Sequence, residues 1–219
     1  MSPVLPDLSA IRTQYGRAGL QERDVDPSPV KQIAKWLREA IDAKHPEPNA
    51  MTLATSTKDG EPAARVVLLR HFDERGLVFY TDYDSDKGKA LAENPRACAA
   101  FFWPLLERQI RVTGAVAKVS REETESYFRT RPRESQIGAW ASHQSGVLAG
   151  RAELEARVEA ETARFGAGEV PCPPNWGGYR VAIERVELWQ GRPSRLHDRL
   201  RYTRIAGRDD AWTIERLSP

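Results

Sequence analysis

Three short stretches of this 219-residue chain concentrate side chains that can hold anions or move protons. In Arg65-Val66-Val67-Leu68-Leu69-Arg70 two guanidiniums bracket an apolar run. A strand period of two sends Arg65 and Arg70 to opposite faces unless a bulge intervenes. The pair therefore reads either as two cations for two separate anions or as the solvated ends of a core strand. In Tyr127-Phe128-Arg129-Thr130-Arg131-Pro132-Arg133-Glu134-Ser135-Gln136, Tyr127 and Arg131 stand four apart and share a helix face. With Ser135 they offer a hydroxyl, a guanidinium and a hydroxyl, a donor set suited to a phosphate monoester. The plain alternative is a solvated basic helix end. Gln144-Ser145, a little further on, could donate hydrogen bonds to a ligand or cap a helix. The third stretch, Arg192-Pro193-Ser194-Arg195-Leu196-His197-Asp198-Arg199, falls in a turn between two strands. His197 there has charged neighbours on both sides, although a loop histidine is most often simply exposed. Trp189 just before it could wall a planar ligand.

The elements that must hold these groups are legible from pattern. Residues 1–27, with Pro3, Pro6 and Pro27 and little apolar periodicity, read as a mobile arm with a helical turn around Ile11–Tyr15. Ser28-Pro29 opens a helix whose Val30, Ile33, Ala34, Leu37, Ala40 and Ile41 make one apolar face, ended by His45-Pro46. Strands are expected over 51–56, 63–72, 77–81, 97–103 and 109–119, with a short helix over 85–93. Ser120 and Glu123 form a capping box that opens a helix through Arg129, and a second helix runs to about Ala141. A charged helix over 151–165 is stopped by Gly166. Residues 170–178 read as a Pro/Gly loop. A strand over 179–190 changes phase near Glu184-Arg185, which suggests a bulge, and strands over 199–205 and 211–217 follow. Hairpin-length connections argue an antiparallel sheet, closed into a barrel to remove its edges. The fold class is mainly β with about five surrounding helices (α+β), and residues 28–219 form a single domain behind the arm.

Composition narrows the function. The 33 basic and 31 acidic residues nearly cancel, which disfavours a nucleic-acid binder or an acidic membrane surface. No apolar run approaches a membrane span. Two cysteines, Cys98 and Cys172, exclude a disulfide framework and a Cys-rich metal site, and the cytoplasm is the default location. The four histidines are scattered, and no dinucleotide fingerprint, Walker loop or nucleophile elbow occurs. A metal enzyme or a serine hydrolase is therefore disfavoured.

Taken together, Arg65–Arg70, Arg131–Trp140, Asn175-Trp176-Gly177-Gly178-Tyr179-Arg180-Val181, Glu187-Leu188-Trp189-Gln190-Gly191 and Arg195–Arg199 resemble the pyridoxine/pyridoxamine 5′-phosphate oxidase family, in order along nearly the whole chain. The resemblance implies an FMN-binding split β-barrel and a homodimer with FMN at its interface. It implies oxidation of pyridoxine or pyridoxamine 5′-phosphate to pyridoxal 5′-phosphate, with O2 as acceptor and hydrogen peroxide released, together with ammonia from the amine substrate. By the same resemblance, FMN would be held by Arg65, Val66, Leu68, Tyr80, Thr81, Lys87 and Gln109, with the 65–70 run extending to Arg70. The partner subunit would add Gln144, Ser145, Trp189 and Arg199. Arg70, Tyr127, Arg131 and Ser135 would hold the substrate phosphate, Arg195 and His197 would serve catalysis over the substrate ring, and Arg12 and Tyr15 would close as a lid. The chain departs from the family at Arg70, where lysine is usual, and at Asp86, where an arginine usually precedes the lysine. An aspartate near the FMN phosphate would repel it unless turned outward. A split-barrel flavin oxidase acting on another substrate, such as a phenazine-pathway compound, is the competing reading. A non-catalytic binder of flavin or pyridoxal phosphate is a third, opposed by the retention of Arg195 and His197.

Overall fold

The computed structural model describes Leu8, residues 14–208 and residues 211–219. The expected turn near Ile11 and the lid candidate Arg12 lie outside the described residues. The chain divides into two compact units, one of Met1–Pro46, Phe102–Ile110 and Glu187–Pro219, the other of Glu47–Phe101 and Arg111–Val186. Among the described residues, ten strands are joined in the order β10-β9-β8-β6-β5-β1-β2, with β3, β4 and β7 off that path, and five α-helices accompany them. This is the mainly β arrangement with five helices that the pattern predicts.

In the unit of residues 47–101 and 111–186, β1 (Ala50–Ser56) pairs along its whole length with β2 (Pro62–Leu68) and on its other edge with β5 (Arg96–Trp103). Alternation buries Met51, Leu53 and Thr55 on β1 and Ala97, Ala99 and Phe101 on β5. A second patch joins β3 (His71–Asp73), β4 (Gly76–Asp82), β7 (Trp176–Val181) and the end of β6 (Arg108–Lys118). Helix α2 (Asp86–Glu93) starts at Ser85, whose hydroxyl caps Gly88 N–H. The predicted capping box is present: Ser120 Oγ accepts from Glu123 N–H, and α3 (Arg121–Thr130) begins there. Phe128, Ile137, Val170 and Trp176 form a core beneath α3 and α4 (Arg133–Ala141). Helix α5 (Arg151–Phe165) ends at Gly166, at φ +47°.

In the other unit, α1 (Pro29–Asp42) is capped by Ser28, whose side chain accepts from Lys31 N–H, and buries Ile33, Trp36 and Ala40. The Arg108 guanidinium lies 4.6 Å over the Trp36 ring. Trp103, Ile110, Leu188, Leu200 and Tyr202 are buried in the same unit, and β9 (Asp198–Arg204) pairs with β10 (Trp212–Leu217). The Tyr202 hydroxyl donates to Asp26 O at 2.7 Å.

Three expectations about strands are corrected. The run 63–72 is two strands, because β2 stops at Leu68 and Arg70 N–H bonds to Val78 O instead of continuing the first ladder. The run 179–190 is β7 and β8 (Arg185–Gln190), with Ala182–Glu184 between them: Ala182 and Glu184 N–H bond to Ala115 O and Thr113 O. The phase change is thus a break rather than a bulge. The Pro/Gly loop ends earlier than expected, since β7 already begins at Trp176.

Candidate active site

The end of β2 fixes the first wall of a cavity of about 340 Å³. Its lining is Arg65, Val66, Val67, Leu68, Arg70, Tyr80, Thr81, Lys87, Tyr127, Arg131, Gln144 and Trp176. Four of these side chains are cations and none is a carboxylate, so the cavity itself selects for an anion.

The cations fall into two pairs. Arg65 Nη1 donates to Leu53 O at 3.2 Å and to Thr55 Oγ1 at 2.8 Å, which anchors the guanidinium on β1. Lys87 Nζ lies 3.1 Å from Thr81 Oγ1, 3.3 Å from Ser85 Oγ and 3.0 Å from Gln144 Oε1, all neutral oxygens. Burial, then the charge of Arg65, lowers the Lys87 pKa, so an anion would relieve both. The exposed Asp86 is outside the lining but close enough that its charge partly offsets the burial that lowers the pKa of both cations.

Arg131 and Arg70 form the second pair. Burial first, with Arg70 adding to it, lowers the Arg131 pKa. The Arg131 guanidinium sits 4.5 Å from the Trp176 ring centre and 5.5 Å from that of Phe128. Its Nη1 is buried without a hydrogen-bond partner. A buried, unsatisfied guanidinium nitrogen is costly, and an anionic oxygen reaching it would satisfy it. Tyr80 and Tyr127 stack at 4.0 Å and 18°, and Tyr80 also stacks on Trp176 at 5.5 Å. Burial, then Glu123, pushes the Tyr80 phenol up to about 12, so it stays a neutral donor. Glycine at 178 is required by this stack, since a Cβ there would lie 2.8 Å from Tyr80 Cε1.

Several sequence expectations change here. Arg65 and Arg70 do not diverge, because strand alternation ends at Leu68 and both reach one cavity. Tyr127 and Arg131 do not share a helix face: α3 ends at Thr130, and Arg131, preceding Pro132, is extended with ψ 145°. Both still line the cavity. Gln144, expected from a partner subunit, lines its own chain's cavity and accepts from Thr81 Oγ1 at 2.8 Å. Ser145 Oγ likewise accepts from Asp86 N–H of the same chain at 3.2 Å. Ser135 stands half-buried on α4, outside the lining. Sequence reasoning assigned no role to Trp176 or to Asp82. Asp82, only 4% exposed, accepts from Gln144 N–H, Asn175 Nδ2 and Asp84 N–H and so fixes the Gln144 loop. The Trp-Gly-Gly at 176–178 was the available signal, since paired glycines inside a strand mark close approach.

The remaining candidates belong to the other unit. His197 Nδ1 accepts from Arg192 N–H at 3.1 Å, which puts the proton of the neutral ring on Nε2. The His197 ring lies 4.7 Å from that of Trp189 and 5.7 Å from that of Tyr15. Arg195 is exposed at φ +61° and follows Ser194 at φ +58°. Two successive left-handed residues are uncommon and mark a strained turn at this position. Arg199 is bound to the buried Glu187 at 2.9 Å and to Ser218 O. Gln109 is half-buried on β6.

Residues 37–165 match a family described as pyridoxamine 5′-phosphate oxidase, and residues 176–219 match the pyridoxine 5′-phosphate oxidase C-terminal dimerisation region. The chain is 54% identical over 212 residues to a Burkholderia mallei (strain SAVP1) protein named pyridoxine/pyridoxamine 5′-phosphate oxidase, covering 97% of this chain and 99% of that one. A protein of the same name from Burkholderia cenocepacia (strain HI2424) is equally similar, 54% over 212 residues with the same coverage. Among solved structures, PhzG from Burkholderia lata 383 in complex with tetrahydrophenazine-1-carboxylic acid superposes with a TM-score of 0.86 at 30% identity, covering 94% of this chain and all (100%) of that one. A pyridoxamine 5′-phosphate oxidase-related, FMN-binding protein from Nostoc punctiforme PCC 73102 shares the split-barrel fold, with a TM-score of 0.69, 17% identity and coverage of 89% and 100%. Among the described residues, no helix is long and apolar enough to cross a membrane.

Proposed function

This chain belongs to the pyridoxamine 5′-phosphate oxidase family, and from that premise we propose that it oxidises pyridoxine 5′-phosphate and pyridoxamine 5′-phosphate to pyridoxal 5′-phosphate. The cofactor that membership brings is FMN. The observation that carries the reading is the Arg70–Arg131 end of the cavity, where the buried Nη1 of Arg131 lacks a partner. A substrate without an anionic group gives that nitrogen nothing to bind. The PhzG likeness favours the alternative of a phenazine-pathway substrate; the pairing of Arg70 and Arg131 beside the Tyr127 hydroxyl, a donor set for an anion of several oxygens, favours the phosphate ester.

Each group has a defined task in this proposal. Arg65 and Lys87, with Thr81 and Gln144, hold the FMN phosphate. Arg70, Tyr127 and Arg131 hold the substrate phosphate, with Ser135 nearby on α4. Bound FMN supplies the hydride acceptor, and O2 takes the electrons on to hydrogen peroxide. The protein's own work is to orient the substrate carbon and to steady charge. Arg195 offers a cation against negative charge developing on the substrate. His197, with Nδ1 already accepting from Arg192 N–H, presents Nε2–H and acts as a hydrogen-bond donor rather than a base. Tyr15 serves as a lid residue beside His197 and Trp189, and two chains pair through the C-terminal dimerisation region with FMN at the interface.

The test is direct. Purified protein is loaded with FMN, and pyridoxine 5′-phosphate is added under air. Aldehyde and peroxide should appear in equal amounts. Turnover of unphosphorylated pyridoxine at the same efficiency would overturn the substrate assignment.

A further inference from the structure

We infer that Glu107 is a positioning residue for His197, acting through Tyr15: its carboxylate holds the backbone at Gly16 and Arg17 so that the Tyr15 ring stays against His197 and Trp189. The inference rests on the reading of His197 as a substrate-facing donor.

The geometry converges on one oxygen. Glu107 Oε2 accepts Gly16 N–H at 2.9 Å and Arg17 N–H at 3.0 Å, from residues about ninety positions away in sequence. Two successive backbone N–H groups aimed at one anion form a small nest, a recurrent way of fixing an irregular segment. Glu107 itself is held firmly. It is a left-handed residue at φ +55°, closing the Pro104–Leu106 turn through an N–H bond to Pro104 O. Its carbonyl accepts Gly191 N–H at 2.7 Å and Gln190 Nε2 at 3.1 Å. The carboxylate is thereby tied to the end of the strand that carries Trp189.

Gly191 shows how closely the parts fit. A Cβ at that position would lie 2.7 Å from Tyr15 Cγ, 2.8 Å from Tyr15 Cβ and 3.0 Å from Glu107 Cβ. Only glycine leaves room for the base of the Tyr15 ring beside Glu107. The ring then meets Trp189 edge-on at 5.5 Å and 89°, and His197 at 5.7 Å and 71°. Trp189 sits on a strand and His197 on a hairpin, but Tyr15 has neither support. Its place is set by the two bonds to Glu107, with a further tie where Leu20 N–H meets Asp198 Oδ2 at 3.0 Å. With Tyr15 seated, His197 cannot swing away from Arg192 N–H without displacing a ring, so its Nε2–H keeps one direction.

The experiment uses the FMN-loaded full chain and four variants: Glu107→Ala, Glu107→Gln, Tyr15→Ala and the double variant Glu107→Ala/Tyr15→Ala. Two measurements are made on each, the rate of tryptic cleavage after Arg17 and kcat with pyridoxine 5′-phosphate at full FMN occupancy. Loss of two charge-assisted bonds should speed cleavage after Arg17 about tenfold or more in Glu107→Ala, and lower kcat by about the same factor. Glu107→Gln, which keeps an acceptor of the same length, should recover most of both losses. The double variant should be no slower than Tyr15→Ala alone, because both changes remove the same contact. Multiplying losses in the double variant, or unchanged cleavage in Glu107→Ala, overturns the proposal. If Glu107→Ala fails to fold, Gly191→Ala carries the test: it must expose Arg17 to trypsin with Glu107 intact, and protection equal to the parent overturns the clamp. A parent protein that makes no aldehyde sinks the functional reading, while the cleavage rates still decide the clamp separately.

Discussion

Replacing Arg131 by alanine is the sharpest probe of the cavity's division of labour. The guanidinium is half-buried, rests on Trp176 at 4.5 Å, and leaves Nη1 without a partner. Its desolvation cost is therefore already present in the folded chain, and an arriving phosphate gains nearly the full charge-assisted bond. Such a bond contributes about 1.5–3 kcal/mol. At about 1.4 kcal/mol per factor of ten, kcat/KM for pyridoxine 5′-phosphate should fall roughly 10- to 100-fold, carried mainly by KM. Arg131→Lys should fall between, since a lysine keeps the charge but loses the planar fork. Stability should change little: the stacking on Trp176, worth about 0.5–2 kcal/mol, is lost while an unpaired buried cation is relieved. The assay is steady-state aldehyde formation beside a fluorescence titration with FMN. Loss of FMN affinity with KM unchanged would mean that the two phosphate ends are exchanged, and the reasoning would be refuted.

Other perturbations read the remaining assignments. Asp86→Arg removes a carboxylate whose charge acts on both Arg65 and Lys87 and opposes an anion there; because the residue is exposed and screened, FMN should bind only about three- to tenfold tighter, with the gain shrinking in high salt, as titrations at two ionic strengths would show. Lys87 has its pKa lowered from the ordinary 10.5, so it loses its charge earlier as pH rises. FMN affinity should then start to fall below pH 10.5, and the fall should flatten in Lys87→Met; equal profiles for the two proteins would remove Lys87 from the phosphate site. For this cation, a depressed folded pKa also means that its charged form costs stability at neutral pH and that the cost lessens as pH climbs toward the ordinary value. His197→Ala and Arg195→Ala should each lower kcat by about 100-fold while FMN stays bound, measured as turnover per flavin, and normal turnover in both would exclude them from the chemistry.

What could be read in advance follows the range of the interaction. The caps at Ser28 and Ser120 and the stop at Gly166 are local, and they stand where the sequence places them. The side of Arg70 is not legible from strand alternation because pairing with neighbouring segments ends β2: Arg70 N–H leaves the ladder to meet Val78 O, while Leu69 pairs with Asn49. Arg131 was given the right cavity-facing role for the wrong reason. Pro132 ends the helix, and Trp176, distant in sequence, is what supports the guanidinium. Gln144 belongs to its own chain's wall because the buried Asp82 holds its N–H, a contact no spacing rule reports. Glu107 carries no motif at all, and its two bonds to Gly16 and Arg17 appear only once the chain is folded.

A structure of the protein with FMN and pyridoxal 5′-phosphate bound together tests the central claim most directly. The account predicts the FMN phosphate on Arg65 and Lys87 and the pyridoxal phosphate group on Arg70, Tyr127 and Arg131, with Arg131 Nη1 satisfied by a phosphate oxygen. A pyridoxal phosphate group lying outside this cavity, or the two phosphates found at opposite ends from those named, would contradict it.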